Sequence, residues 1–251
     1  YELSDKLKKR LKTKAEGILV AGPPGSGKST FTASLAELYY SYGKIVKTLE
    51  SPRDLQLGPE ITQYGPLAGD YFKSADVLLL VRPDYTIFDE VRQPEHFRIF
   101  ADMRLAGVGM VGVVHASEAV DAVQRFIGKI ELGMIPHVVD TIIYINAGRI
   151  EKVYEVAMTV KVPSGMTEED LTRPVVEIRD FESGKLYYEV YSYGEENVVI
   201  PINEETEELS GVELLARERV KQVIKKYDSR AKIDFLSKDR IQVKVDNEVI
   251  P

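Results

Sequence analysis

The sequence predicts an α/β protein: a core built on a mostly parallel sheet, a β-rich appendage, and a small α+β carboxy-terminal segment. Three observations carry that reading. A short apolar run at 17–21 passes directly into a glycine-rich turn and then into a helical stripe. Apolar runs and helical stripes alternate as far as residue 145, the pattern of a parallel sheet covered on both faces. After Gly148 the helical period fades and alternating strands take over.

Residues 5–14 form a short basic helix. Gly17 to Ala21 is a buried strand, and Phe31, Leu35, Leu38 and Tyr39 place a helix over 29–42. Residues 44–49 alternate as a second strand ending at Glu50, and the prolines and glycines of "SPRDLQLGPEITQYGP" make a loop. The run Val77–Val81 suits a strand, yet Tyr71, Phe72, Ala75, Leu78 and Leu79 keep a helical stripe, so 70–81 is read as helix. A strand at 85–88 ends in Asp89-Glu90; a helix follows at 94–106, a strand at 109–114 ending at His115, a helix at 117–128 and a strand at 138–145. These elements make a core over 1–148 and leave 149–202 as the appendage, with strands at 151–162 and 174–193 and a hairpin turn at 182–185. The last segment, 203–251, opens on the acidic run 203–209 and continues with a helix at 210–227 and strands at 231–236 and 240–245.

With 44% hydrophobic and 29% charged residues among 251, a buried core is well supplied. No apolar run approaches the roughly 20 residues of a membrane span, and no apolar segment follows the basic residues near the amino end as a signal peptide requires. The absence of cysteine excludes disulfides, thiolate metal sites and a cysteine nucleophile, and fits a cytoplasmic protein. Tyr1 in place of a starting Met fits a fragment. A net charge of −7 is wrong for a protein holding DNA by a general basic surface alone. Residues 212–251 nevertheless carry ten Lys/Arg against seven Asp/Glu, a local excess that suits a separate module.

Gly22-Pro23-Pro24-Gly25-Ser26-Gly27-Lys28-Ser29 matches G-x-x-x-x-G-K-[ST] at every position, with Thr30 next. Glycines let backbone N–H groups wrap a phosphate at a helix N-terminus; the lysine reaches the β- and γ-phosphates, and the serine hydroxyl ligates Mg²⁺. ATP and Mg²⁺ are the implied cofactors. Asp89 and Glu90 stand at a strand end beside that loop, where one carboxylate orients the Mg²⁺ shell and the other polarises the attacking water. Glu90 is the expected catalytic base. Glu50 and His115 end strands at the same edge and are expected near the γ-phosphate, whereas His96 and His137 have no such placement and are read as structural.

Four motifs in order, GPPGSGKS, TLESPRD, PDYTIFDEVR and AGVGMVGVVHAS, resemble the Walker A, Asp box, Walker B and His box of the PilT and type II/IV secretion ATPase superfamily. The family's Walker B ends G-E-x-R where this chain has Asp89 for glycine, and Val108 stands where many members have a first histidine. The resemblance covers about 15–148. It implies a RecA-like P-loop core, ATP hydrolysis with Glu90, Glu50, His115 and Lys28 in the reaction, and Ser29, Asp89 and Glu90 about the metal. It also implies a homo-hexameric ring in which Arg82, Arg92, Arg98 or Arg104 reaches a neighbour's ATP.

The order of elements further resembles archaeal proteins joining a PIN nuclease-like domain, such an ATPase and a KH domain. That makes the tail KH-like, with nucleic acid as the implied partner, and places the chain's end at "VKVDNEVIP" ahead of a G-x-x-G loop. A nucleic-acid motor of translocase or branch-migration type is the leading expectation and a pilus or secretion motor the alternative. A nucleotide kinase fits less well, since 120–170 offers only Arg125 and Arg149 for a lid. A GTPase would need N-K-x-D, and a scaffold without turnover has no use for Glu90.

Overall fold

The computed structural model describes residues 2–164, 166, 172–202, 211–227, 231–237 and 240–244. Its contacts divide the chain into two compact units, 1–158 with 176–186, and 159–175 with 187–251.

In the first unit, helix α1 (Asp5–Thr13) starts where the Ser4 side chain accepts a hydrogen bond from the Leu7 N–H at 3.1 Å. Strand β1 (Gly17–Gly22) leads through the glycine-rich loop to α2 (Lys28–Ser41), and β2 (Val46–Leu49) follows. Within the expected loop, Thr62–Tyr64 adds a three-residue strand, β3, beside β2. Helix α3 (Tyr71–Val81) confirms the helical stripe over the apolar run. Asp70 caps its start, and it ends at Arg82 ahead of Pro83, whose ring disfavours further helix. Strand β4 (Tyr85–Phe88), helix α4 (Pro94–Leu105), strand β5 (Gly109–His115), a short α5 (Ala119–Gln124), α6 (Ile135–Val138) and β6 (Thr141–Asn146) complete the alternation.

Helix α5 is half as long as the stripe at 117–128 suggests. Phe126 turns inward from it to meet Phe97 and Phe100 edge-on, at 5.0 and 5.6 Å between ring centres. The strands run parallel in the order β3-β2-β4-β5-β1-β6, and β7 (Arg149–Lys161) pairs antiparallel with β6. Every residue of β1 is buried, as a strand covered on both faces requires. Beneath it Phe31, Leu35 and Tyr39 of α2 pack into the core, with Tyr39 stacked on Tyr85 at 3.9 Å.

At the sheet's amino edge, Asp140 accepts the Glu16 and Gly17 N–H groups at 2.9 and 2.8 Å, and Arg10 bonds the Asp140 carbonyl, the Thr141 hydroxyl and Glu155. This network fixes α1 to the starts of β1 and β6. Asp140→Ala strands two backbone donors and removes one of the two carboxylates beside Arg10, which keeps Glu155. It is expected to lower unfolding free energy by about 2–3 kcal/mol in denaturant titration.

Strand β8 (Arg173–Asp180) and β9 (Leu186–Tyr193) flank the turn foreseen at 182–185, where Asp180 accepts the Ser183 N–H at 2.7 Å. In the second unit β9 pairs antiparallel with β10 (Glu196–Pro201), a strand not foreseen. Val175, Tyr191, Val198 and Ile200 form its small core. The wholly buried Glu189 is neutralised there by the Lys161 ammonium at 2.6 Å. Helix α7 (Gly211–Tyr227) and the antiparallel pair β11 (Lys232–Ser237) and β12 (Arg240–Lys244) match the expected helix and strands. The acidic run 203–209 lies outside the described residues. Among the described residues no helix is long and apolar enough to cross a membrane.

Candidate nucleotide-binding site

At the carboxyl edge of the parallel strands a cavity of about 400 Å³ opens over the glycine-rich loop. Crevices at this edge are where open parallel sheets bind ligands. Gly25, Ser26, Gly27, Lys28, Ser29 and Thr30 form its floor. Gly22, Pro23 and Pro24 lead into the loop without lining the cavity. A side chain at 22 would place its Cβ 2.1 Å from the Ile145 carbonyl oxygen, so only glycine lets β1 turn there. Gly27, at φ 94, caps α2 in the left-handed region, which glycine reaches without strain. A turn of this kind at a helix N-terminus is the type of backbone that binds anions.

Lys28 donates from Nζ to the Pro23 carbonyl at 2.6 Å and is buried. That burial lowers its pKa, while Asp89 and Glu90 pull it back up. The lysine is thus a desolvated cation facing two carboxylates across the space a phosphate would fill.

Asp89, Glu90, His115 and Asp54 close the other side, with Ser51, Pro52 and Val113. Asp89 is 8% exposed, and its Oδ1 is buried without a hydrogen-bond partner. Its pKa is pushed up to about 6, chiefly by burial and then by Asp54, Glu50 and Glu90. A buried carboxylate oxygen with no partner, crowded by other acids, fits a cation. Among the described residues no three His, Cys, Asp or Glu are grouped to hold a metal by themselves. Mg²⁺ takes one or two protein ligands plus phosphate oxygens and water. Asp89 and Ser29 would hold it.

Glu90 sits at φ 60, a left-handed conformation uncommon for a residue with a side chain. Its Oε1 lies 3.5 Å from His115 Nε2 and its Oε2 3.0 Å from the Arg92 guanidinium. His115 ends β5 directly opposite Gly22, and its carbonyl accepts from Arg125 at 2.8 Å. Of the positions chosen from sequence for catalysis and metal binding, Lys28, Ser29, Asp89, Glu90 and His115 therefore meet at one cavity and Glu50 does not.

Glu50 is wholly buried and does not line the cavity. Its Oε2 accepts the Asp54 and Leu55 N–H groups, each at 3.0 Å, and its Oε1 accepts from Gln63 at 2.9 Å and from the Thr48 hydroxyl. Both oxygens are occupied in shaping the 50–55 loop, and the loop delivers Asp54 to the cavity. Asp54 was missed from sequence, although it closes the TLESPRD motif four residues beyond Glu50.

Of the four arginines, Arg92 lies beside Glu90 and Arg98 is exposed on α4. Arg82 and Arg104 lie at the opposite, amino edge of the sheet, where Arg104 pairs with Glu16. His137 stands on the short α6. His96 is buried, and desolvation lowers its pKa. Its ring lies 4.5 Å from Tyr71 and 5.2 Å from Phe88.

A family model described as type II/IV secretion system protein matches residues 2–160. The chain belongs to that family. Within it, the chain is 61% identical over 249 residues to a KH and PIN-domain containing protein of Methanocaldococcus jannaschii, covering 99% of this chain and 38% of that protein. It is 52% identical over 202 residues to the Holliday junction branch migration ATPase PINA of Sulfolobus acidocaldarius, covering 80% of this chain and 40% of that protein. The chain therefore spans about two fifths of the length of either curated relative. The VirB11 ATPase from the Brucella suis type IV secretion system shares the secretion-ATPase fold at a TM-score of 0.50 and 17% identity, over 59% of this chain and 50% of that one.

Proposed function

We propose that this chain is the engine of a Mg²⁺-dependent ATPase that assembles as a homo-hexameric ring and moves nucleic acid in the manner of a translocase or branch-migration motor. The observation that carries the ATPase reading is the meeting of Lys28, Ser29, Asp54, Asp89, Glu90 and His115 around one cavity on a glycine-rich loop. Residues 22–30 cradle the phosphates, and Lys28 neutralises the β- and γ-phosphoryl oxygens. Ser29 and Asp89 hold Mg²⁺, which when bound would offset charge on the transferring phosphoryl group. Glu90 takes the proton of the attacking water, and His115 reports the state of Glu90 to β5. Asp54, rather than Glu50, supplies the third acid at the cavity beside Asp89 and Glu90, and Glu50 positions it.

The name of the Sulfolobus relative, matched over 80% of this chain, supports nucleic acid as the material moved. The family match equally supports a pilus or secretion motor. Phosphate release on adding four-way-junction DNA separates the two. Turnover stimulated severalfold by the junction, and lost in Lys28→Ala, is expected. Turnover indifferent to every DNA form favours the secretion reading, and no turnover in the wild-type chain removes the ATPase reading.

A further inference from the structure

The turn that carries Glu90 has no regular hydrogen-bond ladder of its own. Asp89 donates its N–H to the Leu49 carbonyl at 3.1 Å and Val91 to the Val113 carbonyl at 2.8 Å, one on each neighbouring strand. Between those anchors Glu90 takes its left-handed conformation, φ 60. For a residue with a Cβ this costs about 1–2 kcal/mol and persists only where its surroundings impose it.

One side chain reaches this turn from the first turn of α4. His96 Nδ1 lies 3.3 Å from the Glu90 carbonyl oxygen and 3.3 Å from the Arg92 nitrogen. In one neutral tautomer Nδ1 accepts the Arg92 N–H; in the other it donates to the Glu90 carbonyl. Either bond closes residues 90–92 onto the imidazole. The ring is 5% exposed with Tyr71 and Phe88 packed against it, and the backbone N–H of the same residue donates to the Gln93 carbonyl at 2.9 Å. Nε2 points the other way, 3.8 Å from the exposed Glu95. The segment so held bears both partners of the Glu90–Arg92 ion pair, and Glu90 in turn faces His115.

We propose that His96 is a positioning residue for Glu90: wedged between Tyr71 and Phe88, its Nδ1 holds the 90–92 turn so that the Glu90 carboxylate is presented to the cavity and to His115. This rests on the reading of Glu90 as the base, and it gives a task to a histidine whose sequence context marks it as ordinary core. Tyr71 opens α3, so the ring also links the start of that helix to the turn.

The test compares two substitutions in the 251-residue chain by steady-state phosphate release, ATP KM and thermal melting. His96→Phe keeps an aromatic ring between Tyr71 and Phe88 but has no nitrogen for the turn. His96→Asn gives up the ring but places a polar atom where Nδ1 stood. The expected result is a kcat roughly tenfold to a hundredfold lower in His96→Phe, the scale on which small misplacements of catalytic groups act. ATP KM is expected within about twofold of wild type, and His96→Asn at least threefold faster than His96→Phe. Should His96→Phe fail to fold, His96→Leu takes its place as the variant without a polar atom.

Wild-type kcat in the variant lacking the nitrogen overturns the proposal. So does a loss that His96→Asn does not relieve, or one that tracks the folded fraction. Wild-type turnover insensitive to Glu90→Gln, or absent altogether, overturns the Glu90 reading and this inference with it. Wild-type turnover lost in Glu90→Gln but retained in His96→Phe overturns this inference alone.

Discussion

Glu90→Gln is expected to lower kcat for ATP hydrolysis by 100-fold or more, while Mg²⁺-nucleotide still raises the melting temperature. The amide keeps the size and the reach of the side chain but cannot take a proton. Removing a positioned general base raises the barrier by about 3 kcal/mol or more. The geometry argues that this loss falls on chemistry rather than on binding. Glu90 faces the cavity from the side opposite Lys28's loop, is about one-third exposed, and is held by Arg92 and His115 rather than by the glycine-rich backbone. KM should therefore stay within a few-fold of wild type. Steady-state phosphate release over a range of ATP concentrations checks both quantities. A variant turning over within about threefold of wild type would show that Glu90 is not the base.

The glycine-rich loop was legible because its information is local: four fixed positions among eight, a strand before and a helix after. Helix α3 was legible for a related reason, since a stripe sustained over three turns outweighs a short apolar run. Strand ends also located the carboxyl edge, which is why Asp89, Glu90 and His115 meet.

What a strand end does not reveal is where its side chain goes. Glu50 ends β2 at the expected edge, yet its carboxylate folds back to accept two backbone N–H groups of the loop that follows. A carboxylate four and five residues before backbone donors in a proline-containing loop is the one signal that pointed to this, and it is a weak one. The role of His96 depends on how the first turn of α4 sits over the end of β4, a tertiary relation that leaves no period in the sequence. Strands β3 and β10 escaped notice because "TQY" is three residues long and "ENVVIP" ends in proline, so neither offers enough alternation to count.

Asp89→Asn is expected to make the ligand-free chain more stable and the nucleotide-bound chain less so. The buried Oδ1 of Asp89 lacks a partner, and Asp54, Glu50 and Glu90 add negative potential around it, which with burial raises its pKa from 3.8 to about 6. A carboxyl whose folded pKa lies above its unfolded value binds its proton more tightly in the native state. The resulting penalty is nil below pH 3.8, grows as pH rises toward about 6, and is fully present above that.

At pH 7.5 the neutral asparagine escapes the penalty, so the variant should melt higher than wild type, by about 1–2 kcal/mol in stability. The difference should vanish as the pH is lowered toward 4. Mg²⁺ with ATP should reverse the order, because the cation compensates an aspartate far better than an amide. The wild-type chain would then gain several degrees that Asp89→Asn does not. Paired thermal melts at pH 7.5 and pH 4.5, with and without Mg²⁺-nucleotide, read all of this. A variant that is less stable than wild type without ligand, yet gains as much from Mg²⁺-nucleotide, would mean that Asp89 serves the fold and leaves the metal to Ser29. The strain is placed where a loaded site would relieve it: the acid expected to destabilise the ligand-free chain is the one that would be compensated by a bound cation.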